Sequence, residues 1–93
     1  MKLDITYDEH KAAANLKKHG VSFDEAATTF LDELAISYSD EAHSDPGDER
    51  LINIGYSTGL RLLFVVHNEN GTQIRIISAR PATPAERALY EEA

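Results

Sequence analysis

Three kinds of residue in this chain can handle phosphate or move a proton. Arginines stand at 50, 61, 75, 80 and 87, histidines at 10, 19, 43 and 67, and acids crowd the loop Asp40 to Glu49, DEAHSDPGDE. A cation stabilises charge that builds on a transferring phosphoryl group, and a histidine or carboxylate gives and takes protons. Cleavage of RNA by its own 2′-hydroxyl asks for little more: a base, a cation, and an acid for the leaving oxygen. His43, Glu49 and Arg50 fall near one sheet edge, and Arg75 and Arg80 come from the strand two away. These five are the candidate catalytic residues, and no motif divides the roles among them. His43 with the loop acids matches no known metal cage, so no metal site is expected. His10 and His19 read as surface residues.

The totals narrow the class. With 93 residues the chain makes one domain, residues 1–93. It buries roughly 60–65% of its extendable surface, enough for one modest core. It has no cysteine, which excludes disulfides and thiolate metal sites and favours a reducing cytoplasm. No run approaches a membrane helix, and the start MKLDITYDEH lacks the apolar stretch of a signal peptide. A net charge of −7 argues against indiscriminate nucleic-acid binding. The balance is uneven, however. Residues 34–58 hold one Lys or Arg against five acids, whereas residues 59–93 hold four arginines against four glutamates.

The elements that must position these side chains follow from pattern. Lys2 to Tyr7 alternates and reads as an edge strand. Asp8 caps a helix from Glu9 to Lys18, which Gly20 stops. Ser22 and Glu25 form a capping box for a second helix with Phe23, Ala26, Ala27, Phe30 and Leu31 on its apolar stripe. Leu34 to Ser39, Arg50 to Ser57, Leu60 to Asn68 and Gln73 to Arg80 read as four strands. Thr83-Pro84-Ala85-Glu86 opens a short last helix. The order is β-αα-ββββ-α: an α+β fold, an antiparallel sheet packed against an N-terminal helical hairpin.

Asn70-Gly71 predicts a two-residue hairpin loop. Counting back puts His67 opposite Ile74, Val65 opposite Ile76 and Arg61 opposite Arg80. If Thr58-Gly59 is also a two-residue loop, Ile52, Ile54, Leu63, Val65, Ile74 and Ile76 form one core face under the helical hairpin. Arg61 beside Arg80 then needs neutralising by Glu86 or Glu33, or by a bound anion. Arg75 falls on the opposite face from Arg80. That second face carries Leu51, Leu62, Phe64, Val66 and Ile77, more apolar surface than one short helix covers, so Leu51, Phe64, Val66 and Ile77 are the candidate partner-binding residues. Lys11, Arg61 and Tyr90 are candidate substrate-binding residues. A turn longer by one residue flips every one of these faces.

The blocks Lys11-x-x-x-Asn15-x-x-Lys18-His19-Gly20-Val21-Ser22-Phe23, Asp40-x-x-His43, Glu49-Arg50 and Ile74-Arg75-Ile76-Ile77-Ser78-Ala79-Arg80, with Glu86-Arg87 and Tyr90, resemble the BrnT family of type II toxins over nearly the whole chain. The resemblance implies a RelE-like ribonuclease fold, RNA cleavage that inhibits translation, and no cofactor. It also implies a BrnA-type antitoxin that bridges two toxins in a heterotetramer and alone contacts DNA. The chain departs from the family pattern at Tyr7, where tryptophan is frequent, at Pro81, where lysine is frequent, and in its acidic balance. The other reading is a non-catalytic, toxin-like module that binds an antitoxin-like partner for operon control.

Overall fold

The computed structural model describes residues 4–93, so Leu3, expected in the first strand, lies outside the described residues. The strands are β1 (Asp4–Tyr7), β2 (Ile36–Ser39), β3 (Leu51–Tyr56), β4 (Leu62–Asn70) and β5 (Gln73–Pro81), and the helices are α1 (Glu9–His19), α2 (Phe23–Thr28) and α3 (Pro84–Glu92). One sheet runs in the order β1-β5-β4-β3-β2. It is mixed rather than antiparallel throughout, because β1 lies parallel to β5. A parallel neighbour needs a long crossover, and here the chain between β1 and β5 supplies it.

The helix ends follow the local chemistry. Asp8 accepts the N–H groups of His10 and Lys11, and Gly20 closes α1 in the left-handed conformation at φ 69°. The Ser22 box is half made: the Ser22 hydroxyl accepts from the Glu25 N–H, but the Glu25 carboxylate goes to Arg61 and Ser57 instead. The Thr83–Glu86 box is complete.

Both turns around β4 differ from expectation, and both differences have a backbone cause. Leu60 has φ 63°, so Thr58-Gly59-Leu60 form a three-residue loop closed by the Ser57 N–H on the Arg61 carbonyl at 2.9 Å. Tyr56 therefore faces Leu62, not Arg61. At the other turn Asn70 pairs with Gln73, which leaves Gly71-Thr72 as the loop. Gly71 alone takes a positive φ there, as the first loop position of a II′-type hairpin requires.

One-residue slips reassign the faces. Leu63, Val65, Ile76 and Ala79 join Val21, Phe23 and Ala26 under α1 and α2. Ile52, Ile54 and Leu62 form a second cluster on the opposite face, with Ile36, Tyr56, Phe64 and Tyr90 packed against it. Leu51 pairs with the buried His67 and so stands on the covered face, not with Phe64 and Val66. Gly55 and Asn53 also face the covered side. A Cβ on Gly55 would sit 2.9 Å from the Ala35 Cβ and 3.1 Å from the Thr29 carbonyl, and Asn53 donates to the Thr29 hydroxyl at 3.1 Å. Glycine and asparagine there make room for the 3-10 turn Thr29–Leu31.

Candidate functional site

The open face carries the candidate site, and a β-bulge creates it. Asn68 pairs with Arg75 and Phe64 pairs with Arg80, and the register shifts by one residue between Val66 and His67. Asn68 and Phe64 are four apart on a regular strand, so they share a face. Arg75 and Arg80 are five apart and would point to opposite faces of an unbroken strand. The extra residue, Ile77, brings them to the same one, as bulges do when they re-aim a side chain. This corrects the expectation that the two arginines are separated and that Arg80 stands beside Arg61.

The open face can be read in cross-strand rows. Ile36, Ile54, Phe64 and Arg80 make one, and Tyr38, Ile52, Val66 and Ser78 make the next. Strand alternation continues to Asp40, Arg50, Asn68 and Arg75. α3 covers the far end, where Tyr90 meets Tyr56 edge-to-face at 5.3 Å.

Arg80 is held in place. Its two terminal nitrogens bond both oxygens of Glu86 at 2.7 and 2.8 Å, and its guanidinium carbon lies 4.0 Å from the centre of the Phe64 ring. The pair shifts both groups in the expected directions: hydrogen bonding to Arg80 holds the Glu86 carboxyl below its usual range, and Glu86 raises Arg80. Glu86 also accepts the Thr83 N–H at 2.9 Å, so one carboxylate caps α3 and orients the arginine. Tyr38 stands between two polar clusters. Partial burial raises its phenol, and the charges of Glu86 and Asp40 add to that against Arg80.

His43 lies in the short 3-10 turn Glu41–His43, with Nδ1 at 3.0 and 3.1 Å from the two Asp40 oxygens. The carboxylate favours the tautomer with the proton on Nδ1, which leaves Nε2 facing solvent on a ring that is 74% exposed. Ser44 fixes the loop by accepting the Arg50 N–H at 2.8 Å. The Arg50 head lies 3.9 Å from Asp48, and its Nε is buried with no partner. Glu49 and Arg75 line a common groove of about 600 Å³ with Asp48 and Asn68.

The remaining candidates lie elsewhere. Arg61 is committed to a clasp: it pairs with Glu25 through two nitrogens and donates to the Gly20 carbonyl at 3.0 Å. It ties the β3–β4 turn to the start of α2 and sits apart from Arg80. Tyr90 donates to Asp32 at 2.7 Å, and desolvation together with that bond pushes its phenol up to about 12. Lys11 and Ile77 line a groove between α1 and β5. Phe64 and Val66 remain partly exposed on the open face. Among the described residues no three His, Asp or Glu side chains are grouped to hold a metal ion, and no helix is long and apolar enough to cross a membrane.

Tyr38, Ser78 and Asn68 were missed as site residues. The Ile36–Tyr38 alternation was a usable signal for Tyr38 once Ile52 and Ile54 were known to face the same way. Ser78 and Asn68 depend on the bulge.

The family model described as "Ribonuclease toxin, BrnT, of type II toxin-antitoxin system" matches residues 7–86. This chain belongs to the BrnT ribonuclease toxin family. The crystal structure of the Brucella abortus ribonuclease toxin BrnT superposes with a TM-score of 0.67 at 27% identity, over 88% of this chain and 99% of that one. Among curated proteins none matches. A ribonuclease toxin works on a polyanion, and the two arginines on this BrnT chain's open face are of the right charge for one.

Proposed function

We propose that this BrnT-family protein cleaves RNA on its open face by 2′-hydroxyl attack, without a metal, and thereby inhibits translation in the cytoplasm. Arg80 and Arg75 stabilise the charge on the phosphorus-bound oxygens. His43, oriented by Asp40, and Glu49 share the proton transfers: one takes the 2′-hydroxyl proton as the 2′-oxygen bonds phosphorus, and the other gives a proton to the departing 5′-oxygen. The products are a 2′,3′-cyclic phosphate and a free 5′-hydroxyl. Arg50 adds positive charge beside Asp40 and Asn68. The observation that carries this reading is the bulge that turns Arg75 and Arg80 to one face.

The same face supports an antitoxin partner. Phe64 and Val66 are partly exposed there and Tyr38 is 39% exposed, and a BrnA-type antitoxin covering them would block RNA at the same time. An antitoxin dimer bridging two toxins fits this arrangement, with DNA contacted through the antitoxin alone. The test is induction in a bacterium with and without the neighbouring gene, paired with incubation of purified protein and RNA in chelator. Growth arrest relieved by the neighbour, and chelator-resistant cuts ending in cyclic phosphate, are expected. A protein that binds its partner yet leaves growth and RNA untouched would instead be the non-catalytic module.

A further inference from the structure

The cations of this protein fall into two groups. Arg61 pairs with Glu25, Arg80 with Glu86 and Arg50 with Asp48, and Arg87 donates to the Tyr56 hydroxyl. Among the described residues, Lys11, Lys17, Lys18 and Arg75 make no ion pair or side-chain hydrogen bond, and the three lysines all belong to α1. Lys17 and Lys18 sit in the last turn of α1, where the helix dipole favours positive charge. Lys11 sits in the first turn, where the dipole opposes it. The Asp8 carboxylate that caps the helix offsets this in part through its attraction to the Lys11 charge.

Lys11 and Lys18 are seven residues apart, two helical turns, and so share one stripe of α1 about 10 Å long. Between them lies Asn15, whose carboxamide reaches β5: it donates to the Ala79 carbonyl at 2.8 Å and accepts the Ala79 N–H at 3.1 Å. β1 ends opposite Ile76, so beyond that point α1 alone faces the edge of β5. The result is a groove of about 220 Å³ in which Lys11, Lys18 and His19 face Ile77 and Ser78. No acid lines it, although the chain holds sixteen Asp and Glu residues. Its floor is the bulge itself. Ser78 pairs with Val66 on the open face, between Arg75 and Arg80, so the groove meets the candidate site at its rim. The groove at the hairpin end of the face, by contrast, sets Asp48, Glu49 and Glu69 beside a single cation, Arg75.

We infer that the groove between α1 and β5 binds the phosphate backbone of single-stranded RNA next to the cleaved bond, with Lys11 and Lys18 each neutralising one phosphate. The strand leaves the open face over Ser78 and runs along α1. This rests on the RNA-cleaving reading of the open face, and it adds a track that sets how much RNA the protein holds.

The test uses a single-stranded oligonucleotide 2′-O-methylated throughout, which lacks the attacking hydroxyl, with affinity measured by fluorescence anisotropy against salt. Each phosphate neutralised on a single strand contributes about 0.7 to the log–log salt slope. Lys11→Ala with Lys18→Ala should lower the slope by about 1.4, so that a fourfold rise in salt costs the wild type about sevenfold more affinity than the variant. Lys17→Ala removes the same kind of charge outside the groove and should leave the slope alone. Thermal unfolding checks the fold, and the glutamine pair replaces the alanine pair if the latter lowers it. An unchanged slope in the double variant, or an equal fall with Lys17→Ala, overturns the groove. A double variant that loses antitoxin binding while keeping its RNA slope assigns the groove to a protein instead and also overturns it. Wild-type protein that binds the probe with the predicted slope change but leaves unmodified RNA intact supports the groove and overturns the nuclease reading alone.

Discussion

The two faces of the sheet are built from the same kind of strand residue but finished differently. On one, Leu63, Val65, Ile76 and Ala79 are sealed beneath Val21, Phe23 and Ala26, and two of its buried asparagines are spent internally: Asn53 on Thr29, Asn15 on Val21 and Ala79. On the other, Ile52, Ile54 and Leu62 are buried, while Phe64, Val66 and Tyr38 stay partly in water. Among the described residues α3 is the only α-helix there, and it has no fully buried residue. The contrast is clearest in two ion pairs. Arg61–Glu25 fastens a turn to a helix start. Arg80–Glu86 lies on an open aromatic ring, where a planar guanidinium can still meet a phosphate. A sheet with two apolar faces and helices enough for one leaves the second for other molecules.

Substitutions on each side should break the molecule in different ways. The largest effect is expected at Arg80. Arg80→Ala should lower RNA cleavage by about 100- to 1000-fold, the usual cost of losing one preorganised charge-stabilising donor, while circular dichroism stays native. A similar loss with Arg61→Ala in a protein that remains folded would erase the distinction between the pairs. Next is Asn15→Ala on the covered face, which strands buried backbone groups of Val21 and Ala79. It should cost about 3 kcal/mol in urea unfolding. A change under about 1 kcal/mol would mean that water replaces the carboxamide.

A smaller effect is expected where α3 is fastened. Burial alone would raise the Asp32 carboxyl, but hydrogen bonds from the Tyr56 N–H, the Tyr90 hydroxyl and the Leu34 N–H outweigh it and hold it below its usual range. Tyr90→Phe removes one of these and should cost about 1.5 kcal/mol, with amide exchange quickening in α3 before it does in β4. The smallest effect is a pH slope. His67 is buried against Phe30 with rings 4.9 Å apart, and burial pushes its imidazole below the ordinary 6.5. Between the folded value and 6.5 the unfolded chain takes up a proton that the folded protein refuses. Stability should therefore fall as pH drops below about 6.5, by at most about 1.4 kcal/mol per unit, and level off below the folded value. Glu25 and Glu86 act in a separate window. Their carboxyls are held low by Arg61 and Arg80, so their stabilisation is present above the ordinary 4.5 and is lost only further into acid. His67→Gln should flatten the curve just below pH 6.5, and an unchanged curve would assign that slope elsewhere.

The elements were legible because their signals are local. Asp8, Gly20, Ser22 and Thr83-Pro84 mark helix ends by chemistry within four residues, and alternation marks the strands. The faces were not legible, because they depend on parity counted across turns. Leu60 in a left-handed conformation and the displacement of the hairpin loop to Gly71-Thr72 each moved the count by one. The bulge at Ile77 moved it again. Glu86 was one of the alternatives for neutralising Arg80, but it was reached by setting Arg80 beside Arg61, a pairing that the observed register removes. The position of Arg80 over Phe64 and beside Tyr38 was not legible, since it joins residues from three strands.

The Asn15 side chain has one more consequence. A sheet ends in strands whose outer peptide groups invite another chain to pair, the route by which soluble proteins stack into aggregates. β1 protects one border only as far as Ile76, and from there a single carboxamide stands in for a neighbouring strand, offering Ala79 the donor and the acceptor that a passing peptide would offer. Asn15 thus closes the border against polymer growth at the cost of one residue. Losing it should both loosen the fold and leave an open strand border from which the protein seeds its own assembly.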